Sequence, residues 1–337
     1  MGGAGIDLRS DHATQMTTSM RRAVVAAVAA VDQEAAVVAL EEKAAALLGK
    51  EAALFLPTAT LANQLALVAQ TAPAGDLVAE RHSHVLLYED GGPARHGGVV
   101  TRGLVGNGGR FTPADIAEHG LFRTETLVWV ENTHGDAGGR VWPLVELAAL
   151  TAFCGERRVP CHLDGARLFN ASVALGATPA CLAADFTTVT LCLSKGLGCP
   201  FGALLVGDRE LIARATRLRR AFGGAFRQAG LIAAAGVYAL DHHVDRLAED
   251  HARASRLAMC LAAAGVEVAT PVETNIVLIG VGACRTEIAE RAAGRGVLLQ
   301  TVAARGHLRA VTHLGIDNDA VDRAAAVIAS VVASVTV

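Results

Sequence analysis

Lysine is nearly absent from this chain: Lys43, Lys50 and Lys195 are three of its 30 basic residues, and the others are arginine. Aromatic residues make up only 4% of the sequence, and no basic block interleaved with aromatics occurs, so no nucleic-acid partner is expected. No charge-free apolar run of about 18 residues occurs either, which argues against a membrane span; the apolar stretch Val24–Val31 is too short. The seven cysteines are scattered and form no C-x-x-C pair. That pattern excludes a zinc-ligand spacing and a disulfide framework, and it fits free thiols in a reducing cytoplasm. The opening Met1-Gly2-Gly3-Ala4-Gly5-Ile6 lacks the apolar core of a signal peptide.

What is present is a long apolar chain. Its 337 residues are 52% hydrophobic and carry a net charge of −3, enough for one large domain and a smaller one. Strand-like and helix-like stretches alternate for some two hundred residues. Ala53–Leu56, Leu77–Ala79, Thr126–Glu131, Val159–Leu163, Thr187–Leu193 and Gly202–Val206 read as strands. Ser19–Val31, Glu34–Leu48, Leu61–Ala69, Pro143–Phe153 and Arg209–Arg220 read as helices. This alternation predicts an α/β fold with a mainly parallel sheet covered by helices. Asn275–Gly280, Val297–Gln300 and Leu308–His313, with helices over Cys284–Gly294 and Asp319–Val335, predict a small C-terminal α+β domain. The expected organisation is an N-terminal arm over 1–15, a large domain over 16–245 and a small domain over 246–337.

Polar clusters follow the strands. Pro57-Thr58-Ala59-Thr60 leads into a helix N-terminus, whose free N–H groups suit an anion. His82-Ser83-His84 with Tyr88, then Glu131-Asn132-Thr133-His134, then Asp164-Gly165-Ala166-Arg167, each stand at the end of a strand. In open α/β sheets ligands bind at those carboxyl ends. Lys195 closes the series, between an apolar strand and a glycine-rich turn. A buried ammonium is costly. An amine that loses its proton there can attack a carbonyl, which guanidinium cannot do. The alternative is a lysine that snorkels from a strand end. The glycine-rich Gly106-Asn107-Gly108-Gly109 and Gly196-Leu197-Gly198 lack the context of a dinucleotide fingerprint.

Several blocks in order along nearly the whole chain resemble the low-specificity threonine aldolases. They are Ile6-Asp7-Leu8-Arg9-Ser10-Asp11, Gly49-Lys50-Glu51-Ala52-Ala53-Leu54-Phe55, His82-Ser83-His84 through Tyr88-Glu89, and Glu131-Asn132-Thr133-His134. Leu163-Asp164-Gly165-Ala166-Arg167, Cys192-Leu193-Ser194-Lys195-Gly196-Leu197, Arg227-Gln228-Ala229-Gly230 and Val311-Thr312-His313 continue the series. The resemblance implies a fold-type-I enzyme of aspartate-aminotransferase-like architecture that depends on pyridoxal 5′-phosphate (PLP). It also implies a homo-oligomer, tetramer or dimer, in the cytoplasm, and no metal. The implied activity is retro-aldol cleavage of a β-hydroxy-α-amino acid to glycine and an aldehyde. An amino-acid racemase, β-eliminating lyase or transaldolase on the same scaffold is the alternative.

On that resemblance Lys195 holds the cofactor as a Schiff base and Asp164 faces the pyridine nitrogen. Ala59 and Thr60 bind the phosphate, with Arg227 balancing its charge from the same subunit or across an interface. His84 stacks on the ring. Arg167 and Arg309 take the substrate carboxylate, with Ser10 and Tyr88 beside it. His134 and His84 are the candidates to handle the substrate hydroxyl proton.

The sequence departs from the family pattern at several points. Ala29–Ala36 replaces an acidic Tyr-Gly-Glu-Asp-Pro loop with helix formers, Ala59 stands where glycine is usual, and Gly135-Asp136 replaces an Asn-Arg pair. His12 stands where threonine is usual, and the segment around Glu118–Arg123 is shortened. These changes lie on the substrate side, so the expected substrate is not simply threonine.

Overall fold

The chain enters through a two-residue strand, β1 (Ile6–Asp7), and two helices, α1 (Thr18–Ala29) and α2 (Gln33–Leu48). The computed structural model describes residues 5–29, 33–119, 125–302 and 306–335. Residues 30–32 and 120–124 lie outside this set, and with them part of the altered stretch Ala29–Ala36 and most of the shortened segment Glu118–Arg123.

Apolar runs then form the strands of one sheet. They are β2 (Ala52–Leu56), β3 (Asp76–Glu80), β4 (Val100–Leu104), β5 (Thr126–Glu131), β6 (Cys161–Gly165), β7 (Thr188–Cys192) and β8 (Ala203–Gly207). Their order across the sheet is β2-β8-β7-β6-β5-β3-β4. Pairing is parallel from β4 through β7, and only β8 runs against its two neighbours. The carboxyl ends of β2, β3, β5, β6 and β7 therefore all emerge on one side. Strands β3, β5, β6, β7 and β8 are buried along their whole length, as expected for a sheet covered on both faces.

Strand β4 is not legible in the sequence. It is a mostly exposed edge strand, Val-Thr-Arg-Gly-Leu, so it has no continuous apolar run to betray it. The helices Leu168–Leu175 and Pro179–Ala183 also go beyond the sequence reading.

The main core packs α1, α2 and the helix Gly230–His242 against the sheet, with Met20, Leu40, Phe55, Trp142 and Leu191 among its buried members. Each such side chain contributes about 1.5–3 kcal/mol on burial. A second core joins the helices Leu247–Ala263 and Asn318–Val335 to an antiparallel sheet. That sheet comprises β9 (Glu267–Val268), β10 (Ile276–Gly280), β12 (Gln300–Val302) and β13 (His307–Val311). The single strand expected over Val297–Gln300 is split. β11 (Val297–Leu298) pairs in parallel with β1, and β12 joins β13. Leu8 belongs to this second core, so the N-terminal arm is fastened to the C-terminal sheet. Leu8 O accepts from Val311 N at 2.8 Å. Among the described residues no helix is long and apolar enough to cross a membrane.

Candidate active site

The strand ends, the arm and the C-terminal sheet enclose a cavity of about 530 Å³. That is the size of a small-molecule site. Of the residues singled out in the sequence, Ser10, Ala59, Thr60, His84, Tyr88, Asp164, Arg167, Lys195 and Arg309 all line it.

Lys195 follows β7 in a tight turn. Gly198 N donates to Lys195 O at 2.9 Å, and Gly198 has a φ of 79°. A side chain there would be strained. The Lys195 ammonium makes no hydrogen bond or ion pair among the described residues. The other two lysines are engaged. Lys43 pairs with Asp241 at 2.5 Å. Lys50 donates to the carbonyls of Ala184 and Phe186 at 2.8 and 2.7 Å, so it ties two segments together.

Opposite the lysine turn, helix α3 (Ala59–Gln70) begins at the end of β2. Thr58 caps it by accepting from Leu61 N at 3.1 Å. The N–H groups of Ala59 and Thr60 have no intrahelical acceptor and stand at the cavity wall. Ala59 lies in the helix and is not among the residues of positive φ, so the methyl in place of glycine brings no backbone strain.

Asp164 closes β6, paired in register with Glu131 of β5. Asn63, one helical turn into α3, donates to Asp164 Oδ2 at 2.9 Å and to Glu89 Oε1 at 2.8 Å. Gln64 also donates to Glu89. His84 opens a short helix, α4 (His84–Leu87), and its Nδ1 lies 3.0 Å from Glu89 Oε1. A carboxylate only accepts, so Nδ1 carries the proton and Nε2 is left as the acceptor. Burial opposes a charged imidazole here, but the hydrogen bond it donates to Glu89 and the charges of Asp164 and Glu131 raise its pKa. Donor atoms of His84, Glu89 and Asp164 lie within 4.8 Å of one another. They are already engaged by the Asn63 amide and by each other. The sequence reading missed Asn63 and Glu89. The signal for Asn63 was its place four residues after Ala59, one turn along the same helix face.

Arg167 was expected to clamp a ligand carboxylate. One edge of its fork is occupied: Nε and Nη2 donate to the two oxygens of Asp11 at 2.8 and 2.7 Å, with both side chains buried. Burial would raise the Asp11 pKa, but the charge and hydrogen bonds of Arg167 hold it well below the usual range. Asp11 takes the Nε/Nη2 edge and leaves only the Nη1/Nη2 end, so Arg167 and Arg309 are not equivalent. Arg309 Nη2 makes one long contact, 3.3 Å to Arg9 O, and its Nε is buried without a partner. Burial and the charge of Arg167 both lower its pKa, so an anion is wanted beside it. Ser10 and His12 flank Asp11 on the same wall. Burial and the positive charge of Lys195 push His12 down to about 4.

His134 does not line the cavity. It is fully buried behind it, with Nε2 3.1 Å from Glu80 Oε2 and Nδ1 accepting from Ala137 N at 3.3 Å. Its direct role at the substrate hydroxyl is therefore withdrawn: Gly109, at a φ of 83°, packs so closely that a Cβ there would come 2.4 Å from the His134 ring. Glu80, held down to about 2 by His134 and His82 against the cost of burial, completes this buried support. Arg227 is also outside the cavity of its own chain and is exposed. Its neighbour Phe226 stacks edge-on with Phe201, which lines the cavity.

A family model described as beta-eliminating lyase matches residues 7–283. The chain is 38% identical over 331 residues to the low specificity L-threonine aldolase of Escherichia coli (strain K12), covering 95% of this chain and 97% of that one. It is 34% identical to the probable low-specificity L-threonine aldolase 2 of Arabidopsis thaliana, over 82% of each. The solved structure of the Leishmania major threonine aldolase covers 97% of this chain and 99% of its own, with a TM-score of 0.83 at 22% identity. The fold is that neighbour's fold, and the chain belongs to the beta-eliminating lyase family, among the low-specificity L-threonine aldolases.

Proposed function

We propose that this protein is a PLP-dependent carbon–carbon lyase that cleaves a threonine-like β-hydroxy-α-amino acid to glycine and an aldehyde. The observation that carries the reading is the unpaired amine of Lys195 in one cavity with Asp164, His84 and the free start of α3. Those four features fit a phosphorylated pyridine aldehyde. Lys195 would hold the aldehyde carbon, Ala59 and Thr60 the phosphate, Asp164 the ring nitrogen, and His84 the ring face.

When bound, PLP supplies an electron sink for the charge left at Cα on bond cleavage. The chain's part is to bind, orient and move protons. Asn63 fixes the Asp164 carboxylate, which would face the pyridine nitrogen and favour its protonated form. Arg309, lacking a strong partner, would take the α-carboxylate, with Ser10 adding a hydrogen bond. Arg167 would present its remaining edge while Asp11 holds the rest of its fork. His84 Nε2 would accept the β-hydroxyl proton, and Glu89, 3.0 Å from Nδ1, would stabilise the imidazolium that results. His134 would act only through Glu80 and the segment it supports.

In the same reading, residues 16–245 form the cofactor domain, 246–337 the small domain and 1–15 an arm joining them. The protein is a cytoplasmic homo-oligomer in which the exposed Arg227 reaches a phosphate across an interface. Free thiols at all seven cysteines support the compartment.

The test is a visible spectrum with added PLP and an assay of glycine and aldehyde from L-threonine and L-allo-threonine. Lys195→Ala should abolish both the absorbance of lysine-bound cofactor and glycine release. Unchanged absorbance would reject the lysine. Racemised or eliminated products without glycine would reject the lyase.

A further inference from the structure

One acidic side chain in the cavity has no structural duty in the fold. Asp136 lies in the turn after β5, where Gly138 N donates to Gly135 O. A turn aspartate ordinarily accepts from a nearby backbone N–H. Among the described residues Asp136 accepts from none. Its one described partner is the hydroxyl of Tyr88, which donates to Oδ2 at 2.8 Å. The residue is 3% exposed, yet it lines the cavity.

A buried carboxylate with a single donor is costly unless something else satisfies it. Arg309 is close enough for each charge to affect the other, but no ion pair joins them among the described residues. Burial raises the Asp136 pKa and repulsion by Glu131 raises it further, while Tyr88, Arg309 and His134 favour the ionised form. Arg309 and Asp136 thus offer a ligand one anion site and one acceptor site on neighbouring walls. An amino acid whose side chain ends in a hydrogen-bond donor has both complements. An alkyl side chain would leave the carboxylate oxygen unmet.

We propose that Asp136, positioned by Tyr88, determines specificity by accepting a hydrogen bond from a donor on the γ-carbon of the substrate. The preferred class is then β-hydroxy-α-amino acids with a γ-hydroxyl or γ-ammonium, in preference to their alkyl isosteres. This rests on the amino-acid-cleaving reading above.

The test uses the PLP-loaded enzyme and two isosteric amino acids without a β-hydroxyl, homoserine and norvaline, which bind without retro-aldol cleavage. Calorimetric titration should give homoserine a Kd about tenfold lower than that of norvaline, since a polar site discriminates against a ligand that leaves it unpaired. The ratio should fall to near one in Asp136→Leu. It should fall to below about threefold in Asp136→Asn, which keeps the shape and an acceptor for Tyr88. In Tyr88→Phe the Kd of homoserine should rise while that of norvaline holds. Equal binding by the wild-type enzyme, or a ratio that survives both Asp136 variants, would overturn the proposal. If neither amino acid binds while the cofactor spectrum is intact, the amino-acid reading fails and the proposal with it. A retained preference with no glycine released from 4-hydroxythreonine supports the subsite and rejects the cleavage reading alone.

Discussion

The Asp11–Arg167 pair joins the N-terminal arm to the end of β6 across 156 residues of sequence, and Asp11→Asn tests what it is worth. Both side chains are buried, at 0% and 8% exposed, and two hydrogen bonds of 2.8 and 2.7 Å join them. Removing one partner of such a pair costs about 3–5 kcal/mol, because the other charge is left buried alone. Asparagine keeps the shape and one acceptor, which returns about 1 kcal/mol. The expected loss is therefore about 2–4 kcal/mol. Arg167→Met removes the stranded charge, so Asp11→Asn should cost far less in its presence. A double-mutant cycle by chemical denaturation at fixed protein concentration should give a coupling of about 2 kcal/mol or more. The pH dependence has a definite sign. The folded-state pKa of Asp11 is depressed, so its contribution is complete above the ordinary value of 3.8 and is lost progressively as pH falls below it. Asp11→Asn should flatten that acid limb. A coupling below about 0.5 kcal/mol, or an unchanged acid limb, would refute the view that this pair latches the arm.

Three further outcomes are expected. Arg309→Met should raise KM for the amino-acid substrate about a hundredfold or more, the loss of a charge-assisted pair of about 3 kcal/mol, with the cofactor spectrum intact; an unchanged KM would move the carboxylate site elsewhere. Glu89→Gln should lower the pKa of His84, read by imidazole NMR. Because the wild-type His84 pKa is raised, the stability gap between the two proteins should be full below pH 6.5 and close as pH rises through the folded value. His134→Phe should destabilise the protein by about 1–3 kcal/mol by leaving Glu80 short of a partner, yet leave the shape of the kcat pH profile unchanged; a lost limb would return His134 to the chemistry.

Much of the site was legible because each strand run carries its polar residue at its end. Asp164, Lys195 and His84 follow apolar stretches, and a parallel sheet brings such ends to one side whatever their separation in sequence. The engagements of Arg167 and His134 were illegible for one reason. Motif position says that a side chain is near the cavity but not which way it is turned. Arg167 turns onto Asp11, and His134 turns onto Glu80, each to keep a buried partner satisfied. Glu89 and Asn63 were missed because each is held by residues far away in the chain: Asn63 by Asp164 of β6 and by Glu89, and Glu89 by Asn63 and Gln64 of α3.

By itself the sequence determined the α/β alternation, the order of the strand-end residues and the one lysine set among apolar neighbours. These follow from local propensity and hydrophobic period, which act over a few residues. Only the tertiary structure decided that β8 runs against its neighbours, that the arm is bound to the C-terminal sheet, and that Asp11 takes one edge of Arg167 while Arg309 has no such partner among the described residues. Those are outcomes of pairing buried charges and strand edges over long separations, and no local pattern encodes them. Lys195 was conspicuous in the sequence as an amine in apolar surroundings; packing left it without a partner at the edge of the cavity.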